Sequence, residues 1–233
     1  MEYIPRVFMV VTPHPDDAEI GVGGTIVRWI RAGAEGVLVL ATNGDKGSSD
    51  PAMTSERLAA IREKEQAEAA RVLGFQQVVF LRHPDGELED NRQFRGDLVR
   101  EIRRYKPDAV LTVDPHRRTG YQHRDHRITG QVTMDAVFPY ARDHLSFPEH
   151  KALGLTPHKV QCLYLWGSET PDRWVDVTDT IDAKIAALAK HVSQVGDLTG
   201  RDFRNFIKEN ARRAAGERGM EYAEAFRVIE LRR

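Results

Sequence analysis

Residues 7 to 26 read VFMVVTPHPDDAEIGVGGTI, and the order of chemistries along them decides the fold. Val7 to Val11 is apolar at consecutive positions, the pattern of a strand buried on both faces in a parallel sheet. It runs directly into His14, Pro15, Asp16 and Asp17. A glycine-rich segment follows in which Ile20, Ile26, Val27 and Ile30 punctuate a helix ending at Gly33. Three acids and a histidine at the carboxyl end of a buried strand are costly to desolvate unless a positive charge sits among them. A divalent cation is the simplest such charge, and the glycines would let the helix start close to it.

Working outward, the same rhythm repeats. GVLVLATNG (36 to 44) is a second short strand, followed by the polar, Gly/Ser-rich loop DKGSSDPAMTS. Residues 55 to 73 form a helix with a Ser or Thr cap, an apolar face of Leu58, Ile61, Ala69, Val72 and Leu73, and a stop at Gly74. QVVFL (77 to 81) is a third strand and RHPDGELEDN a loop. A helix from about Gln93 to Tyr105 is stopped by Pro107, and DAVLTVDP is a fourth strand. Four βα steps with short connections predict an α/β fold, a mostly parallel central sheet covered by helices on both faces, with the site beyond the carboxyl ends of the strands. After the loop HRRTGYQ a helix opens near His123, so a second chemical cluster, His123, Arg124, Asp125 and His126, also begins at a strand-to-helix junction. Residues 139 to 158 lack periodicity and read as a surface excursion in the position of a lid. Beyond it come strands at 160 to 166 and 173 to 178. TIDAKIAALAKHVSQV reads as one helix with Ile181, Ile185, Leu188, Val192 and Val195 on one face, and FRVIEL as a final strand.

Composition narrows the function. With 233 residues, 41% hydrophobic and 30% charged, the chain can bury one sizeable core, and one domain over residues 1–233 is expected. A formal charge of -1 supplies no basic field for nucleic acid or acidic lipid. No apolar run approaches the roughly 20 residues that span a bilayer, and MEYIPRVF lacks a signal-peptide layout, so a cytoplasmic location is expected. Self-association into a homo-oligomer is left open. The single cysteine, Cys162, lies in an apolar strand and excludes a multi-cysteine zinc site, so His and carboxylates must hold any metal.

His14 and Asp17, three apart on a tight turn, can converge on one ion, with Asp16 tethered beside it as a base. The second cluster offers a third ligand and a histidine backed by a carboxylate. Two histidines and one carboxylate leave positions open for water and substrate, which is the mark of catalysis. Read singly, HPDD is a turn and HRDH a set of helix-capping residues. Their joint occurrence at two strand ends decides for a metal site. A dinucleotide site is excluded, because Gly21 and Gly23 are followed by Ile26 where G-x-G-x-x-G needs its third glycine, and Asp16, Asp17 and Glu19 would repel a pyrophosphate.

HPDDAEIGVGG, TNGDKG, the arginine of IREKEQAEAARVLG, PDG, HRDH and WVDVTDTIDAKIAALAKHVSQV together resemble the LmbE-like, or PIG-L, family of zinc-dependent N-acetylglucosaminyl deacetylases, over most of the chain. The resemblance implies a Rossmann-like three-layer α/β fold and a mononuclear Zn2+ held by His14, Asp17 and His126. It further implies Asp16 as general base, His123 as the oxyanion-stabilising residue with Asp125 orienting it, and Arg62 at a substrate-contacting position. Arg124 departs from the family's usual proline. The implied reaction is metal-assisted hydrolysis of the amide of an N-acetylated sugar conjugate, in which a protonated His123 stabilises the oxyanion. Hydrolysis of another small amide, and a metal-dependent sugar-binding module without turnover, are the alternatives. The ligand set equally suits Fe2+, so zinc rests on the resemblance. Asp45 and Asp85 lie in strand-end loops but stay outside the site, because Asp-Gly is an everyday turn. His83, His116, His144, His150, His158 and His191 are expected at the surface or in loops.

Overall fold

A computed structural model describes residues 3–120, 122–195 and 202–231. Strands β1 (Val7–Thr12), β2 (Glu35–Thr42), β3 (Gln77–His83) and β4 (Ala109–Val113) alternate with helices α1 (Asp17–Arg31), α2 (Ser55–Leu73), α3 (Arg92–Tyr105) and α4 (Arg124–Val137). Two 3-10 turns, Tyr140–Arg142 and Pro148–Leu153, lead to β5 (Cys162–Trp166) and β6 (Arg173–Asp176). Then come α5 (Ile181–Leu188), the single turn α6 (Val192–Val195), α7 (Phe203–Ala215) and β7 (Ala223–Glu230).

The strands form one sheet in the order β3-β2-β1-β4-β5-β7-β6. β1 pairs in parallel with β2 and β4, β2 with β3, and β4 with β5, while β7 runs antiparallel to β5 and β6. The expected mostly parallel Rossmann-like sandwich is therefore what forms. Its three layers follow from the period-two alternation of a strand. Phe8, Val10, Leu38, Leu40 and Leu111 join the core under α1, α2, α5 and α7, whereas Met9, Val11, Val37, Val39 and Val110 join the core under α3 and α4. Both faces being covered is the reason β1 is apolar at consecutive positions from Val7 to Val11 instead of every second one.

Helix ends match local chemistry. Thr54 caps α2 by accepting the Arg57 N–H, Asn91 caps α3 by accepting that of Phe94, and Gly74 closes α2 in the left-handed region at φ 96°.

Several expectations need correction. The segment from Ile181 to Val195 is not one helix. It breaks after Leu188, so His191 points inward and is fully buried while Val192 is 68% exposed. His150 is buried as well, stacked on Phe147 and 3.4 Å from Arg103. The excursion at 139 to 158 is a pad fastened to α3, because the buried Arg103 guanidinium donates to the carbonyls of Tyr140, Ala141, Asp143, Ser146 and Phe147. Finally, the glycines of α1 serve helix packing. A Cβ on Gly21 would stand 2.6 Å from the Trp166 indole nitrogen, and one on Gly24 2.6 Å from Val177. The final strand is longer than FRVIEL, and Arg201 lies outside the described residues.

Candidate active site

Strand order reverses direction at β1, which has β2 on one side and β4 on the other, so a crevice opens between the carboxyl ends of β1 and β4. Both sequence clusters end there. The turn after β1 is held by Thr42 at the end of β2, whose N–H and hydroxyl both donate to the Pro13 carbonyl at 2.9 Å. Asp16 is the residue before α1 and sits at φ 91°, in the left-handed region that Asp tolerates better than most residues and that concentrates at functional sites. On the β4 side, Gly130 lets α4 close on its strand, since a Cβ there would stand 2.3 Å from the Val113 carbonyl. His123 caps α4, its Nδ1 accepting the Asp125 backbone N–H at 3.1 Å.

The three expected ligands meet. Asp17 Oδ2 is 3.2 Å from His14 Nδ1, and Asp17 Oδ1 is 3.3 Å from His126 Nε2. Each ring meets a different oxygen of the carboxylate, at a separation close to the roughly 3.3–3.4 Å between ligand atoms of a tetrahedral metal site. His14, His123 and His126 also bring their ring nitrogens within 4.8 Å of each other, and the ring centroids of His14 and His123 are 4.8 Å apart. The far side of His14 completes the fit. Its Nε2 is 3.1 Å from Asp125 Oδ2 and 3.0 Å from Asp85 Oδ1, so two carboxylates hold a proton on Nε2, and Nδ1, beside Asp17, is the nitrogen that could face a metal ion.

Asp125 is fully buried and accepts the Gly86 N–H at 2.7 Å and the Leu88 N–H at 3.4 Å besides meeting His14. Its carboxylate thus supports His14, and its backbone N–H fixes His123. Asp85, left outside the site by sequence reasoning, belongs in it. The signal was the PDG turn after β3, discounted because Asp-Gly is so common. Arg62 is 5% exposed and its guanidinium is turned inward, donating to Pro15 O at 2.8 Å, Asp16 Oδ2 at 3.2 Å and Gly44 O at 3.2 Å. Arg124 donates to Leu88 O at 3.2 Å and lines an open groove with Pro84, Gly86, Glu87 and Glu89. Asp45 accepts the Asp85 N–H.

Electrostatics separates the two adjacent carboxylates. Burial, together with the negative charge of Asp17, raises Asp16 to about 7 despite the opposing pull of Arg62. Burial would raise Asp17 too, but His126 and His14 outweigh it and lower it to about 2. Burial alone would lower His14, yet its bonds to Asp125, Asp17 and Asp85 lift it to about 12. His126 is lowered, chiefly by burial. Two carboxyl groups adjacent in sequence are thus set apart by their environments, Asp17 ionised between two rings and Asp16 raised toward neutrality.

A buried His/carboxylate cluster that could hold a metal ion, at the switch point of a doubly wound sheet, marks the class: α/β enzymes with their site at the strand ends. Residues 9–137 match PIG-L, described as GlcNAc-PI de-N-acetylase, and the chain belongs to that family. It is similar to the diacetylchitobiose deacetylase of Thermococcus kodakarensis, 31% identical over 222 residues that cover 95% of this chain and 82% of that protein. Among solved structures it superposes on the N,N'-diacetylchitobiose deacetylase of Pyrococcus horikoshii, in complex with an inhibitor, with a TM-score of 0.92 and 32% identity over 97% of this chain and 84% of the other. The 4-carboxy-2-hydroxymuconate hydratase GalB of Pseudomonas putida KT2440, at 21% identity and a TM-score of 0.79 over 98% of both chains, shares the fold alone. Among the described residues, no helix is long and apolar enough to cross a membrane.

Proposed function

We propose that this protein is a zinc-dependent N-deacetylase that removes the acetyl group from an N-acetylglucosamine-type sugar conjugate. In this reading His14, Asp17 and His126 hold the ion and Asp16 is the general base. The observation that carries it is the contact set itself: the Asp17 carboxylate spans His14 and His126 at 3.2 and 3.3 Å, with Asp16 next in sequence in a left-handed conformation. The shared chemistry of the similar deacetylases supports the choice of an acetylated amino sugar.

An ion held by these ligands supplies Lewis acidity, acidifying a water and polarising the acetyl carbonyl. Asp16, titrating near 7, accepts a proton from the attacking water and returns it to the leaving amine, so one carboxyl group serves both half-reactions. Arg62 holds the Asp16 carboxylate and the preceding carbonyl in place. His123 accepts the Asp125 N–H on Nδ1, so in the neutral ring its proton is on Nε2, ready to donate to the carbonyl oxygen as charge develops there. This needs no imidazolium. Asp125 and Asp85 keep the tautomer of His14 that turns Nδ1 to the ion.

The test is acetate release from N,N'-diacetylchitobiose and a panel of N-acetylglucosamine derivatives, with metal-stripped, zinc-loaded and anaerobically Fe2+-loaded protein. Zinc-dependent release is the expected result. Release with Fe2+ alone would replace the metal, equilibrium binding without release would favour a sugar-binding module, and no response to any of the panel would overturn the reading.

A further inference from the structure

Two residues on α2, four apart and therefore on one face, grip the Asp16 turn from behind. Arg62 takes the Pro15 carbonyl and the Asp16 carboxylate. One turn further on, Gln66 is fully buried; its Oε1 accepts the Asp16 backbone N–H at 3.1 Å, and its Nε2 donates to Glu19 Oε1 at 2.8 Å. The ends of that amide are not interchangeable. Glu19 Oε1 accepts the NH2 group and so turns the Gln66 carbonyl toward Asp16. Glu19 is itself fully buried, and its Oε2 lies 3.5 Å from Nε2 of His191, the buried histidine at the break between α5 and α6. That break is pinned to α2, since the Ser193 N–H and hydroxyl donate to Glu65 at 2.8 and 2.6 Å.

We propose that Gln66, aimed by Glu19 and backed by His191, is a positioning residue for Asp16. The inference rests on the reading of Asp16 as the base. A non-glycine residue at φ 91° persists only where its surroundings hold it, and the Asp16 N–H has its acceptor in Gln66. Without that acceptor a part-buried N–H is left unpaired and the peptide turns to find another, carrying the carboxylate with it. A displacement of about 1 Å at a catalytic group costs on the order of a hundredfold in rate. The hydrogen bonds of Gln66 go to the Asp16 backbone N–H and to Glu19, so its effect should fall on turnover more than on metal or substrate binding.

The experiment compares the full chain with Gln66→Leu, Gln66→Glu, and the exchange pair Glu19→Gln with Gln66→Glu. Gln66→Leu removes the acceptor for the Asp16 N–H, whereas Gln66→Glu keeps it but sets a second carboxylate against Glu19; the pair keeps the charge of the unit, the acceptor and a donor–acceptor contact between the side chains. Expected for both single variants are unchanged zinc stoichiometry, KM within about twofold of the parent, and kcat for acetate release down about 10–100-fold. Hydrogen exchange at the Asp16 amide, read by NMR, should speed up at least about tenfold in Gln66→Leu. The exchange pair should recover most of both. Parental kcat and parental exchange in Gln66→Leu overturn the proposal, as does a loss of kcat that merely tracks the folded fraction. If Gln66→Leu does not fold, the same comparison of Gln66→Glu with the exchange pair decides. Should the parent release no acetate from any substrate, the deacetylase reading fails separately. Exchange at Asp16 still reports on Gln66, fast and rescued by the pair if it anchors the turn, unchanged if it does not.

Discussion

Nε2 of His14 lies 3.1 Å from Oδ2 of Asp125, a hydrogen bond that ties the turn after β1 to the start of α4 across 111 residues of sequence. It sets the Asp125 carboxylate against Nε2 while Nδ1 meets Asp17, and it couples the two strand ends that form the crevice. Asp125→Asn puts an amide where the His14, Gly86 and Leu88 donors converge on a carboxylate. Zinc affinity should fall about 10–100-fold, as for other partners that orient a metal-bound histidine. Competition against a chromophoric chelator measures it; parental affinity in the variant would sink the assignment.

In the proposed reading Asp16 moves a proton and is not needed to hold the ion. Asp16→Asn should keep a full complement of zinc by elemental analysis yet lose about 10²–10⁴-fold in acetate release, the usual contribution of a general base. A metal-loaded variant with parental turnover would remove Asp16 from the mechanism.

Protons and the cation compete for His14. Its folded-state value is raised to about 12 by the surrounding carboxylates, well above the free imidazole, so near neutrality the ring without an ion carries a proton on Nδ1 and binding must release it. Apparent zinc affinity should therefore rise with pH, by as much as about tenfold per unit between about pH 6 and pH 8. Calorimetry in buffers of different ionisation enthalpy counts the proton, and a flat affinity profile would contradict the assignment of His14 as ligand.

Away from the site, Lys184 and Glu224 form an ion pair with Nζ 2.6 Å from Oε1, 4% and 5% exposed, and Glu224 also accepts the Gly24 and Thr25 N–H groups of α1. Glu224→Leu strands a buried ammonium and should cost about 3–5 kcal/mol. Urea unfolding gives the value. The double change Glu224→Leu with Lys184→Met should recover part of it, and a single variant as stable as the parent would show that water reaches the pair.

Much of the fold was legible locally. The apolar runs Val7–Val11 and Ala109–Leu111, capping residues such as Thr54, and Gly74 after Leu73 each report on their own few neighbours, and the structure honours them. The helix assumed over 181 to 195 failed for an identifiable reason. Its apolar spacing was right to Leu188, but the buried contact of His191 with Glu19 and the tie of Ser193 to Glu65 draw the chain off the helical path. No periodicity records such a contact, because its partners lie on α1 and α2.

At the site, too, the division follows the range of the interaction. His14, Asp16 and Asp17 could be read together because a tight turn after a strand fixes their spacing within four residues, and the HRDH cluster for the same reason at α4. The sequence by itself thus determined the doubly wound framework and the two clusters of donors at its strand ends. Only the tertiary structure decided that Asp125 and Asp85 close on His14, that Arg62 turns inward, and that Gln66, Glu19 and His191 stand behind Asp16. Those bonds join residues tens to more than a hundred positions apart, and they form only once α2, α4 and the α5–α6 break have packed around the turn that follows β1.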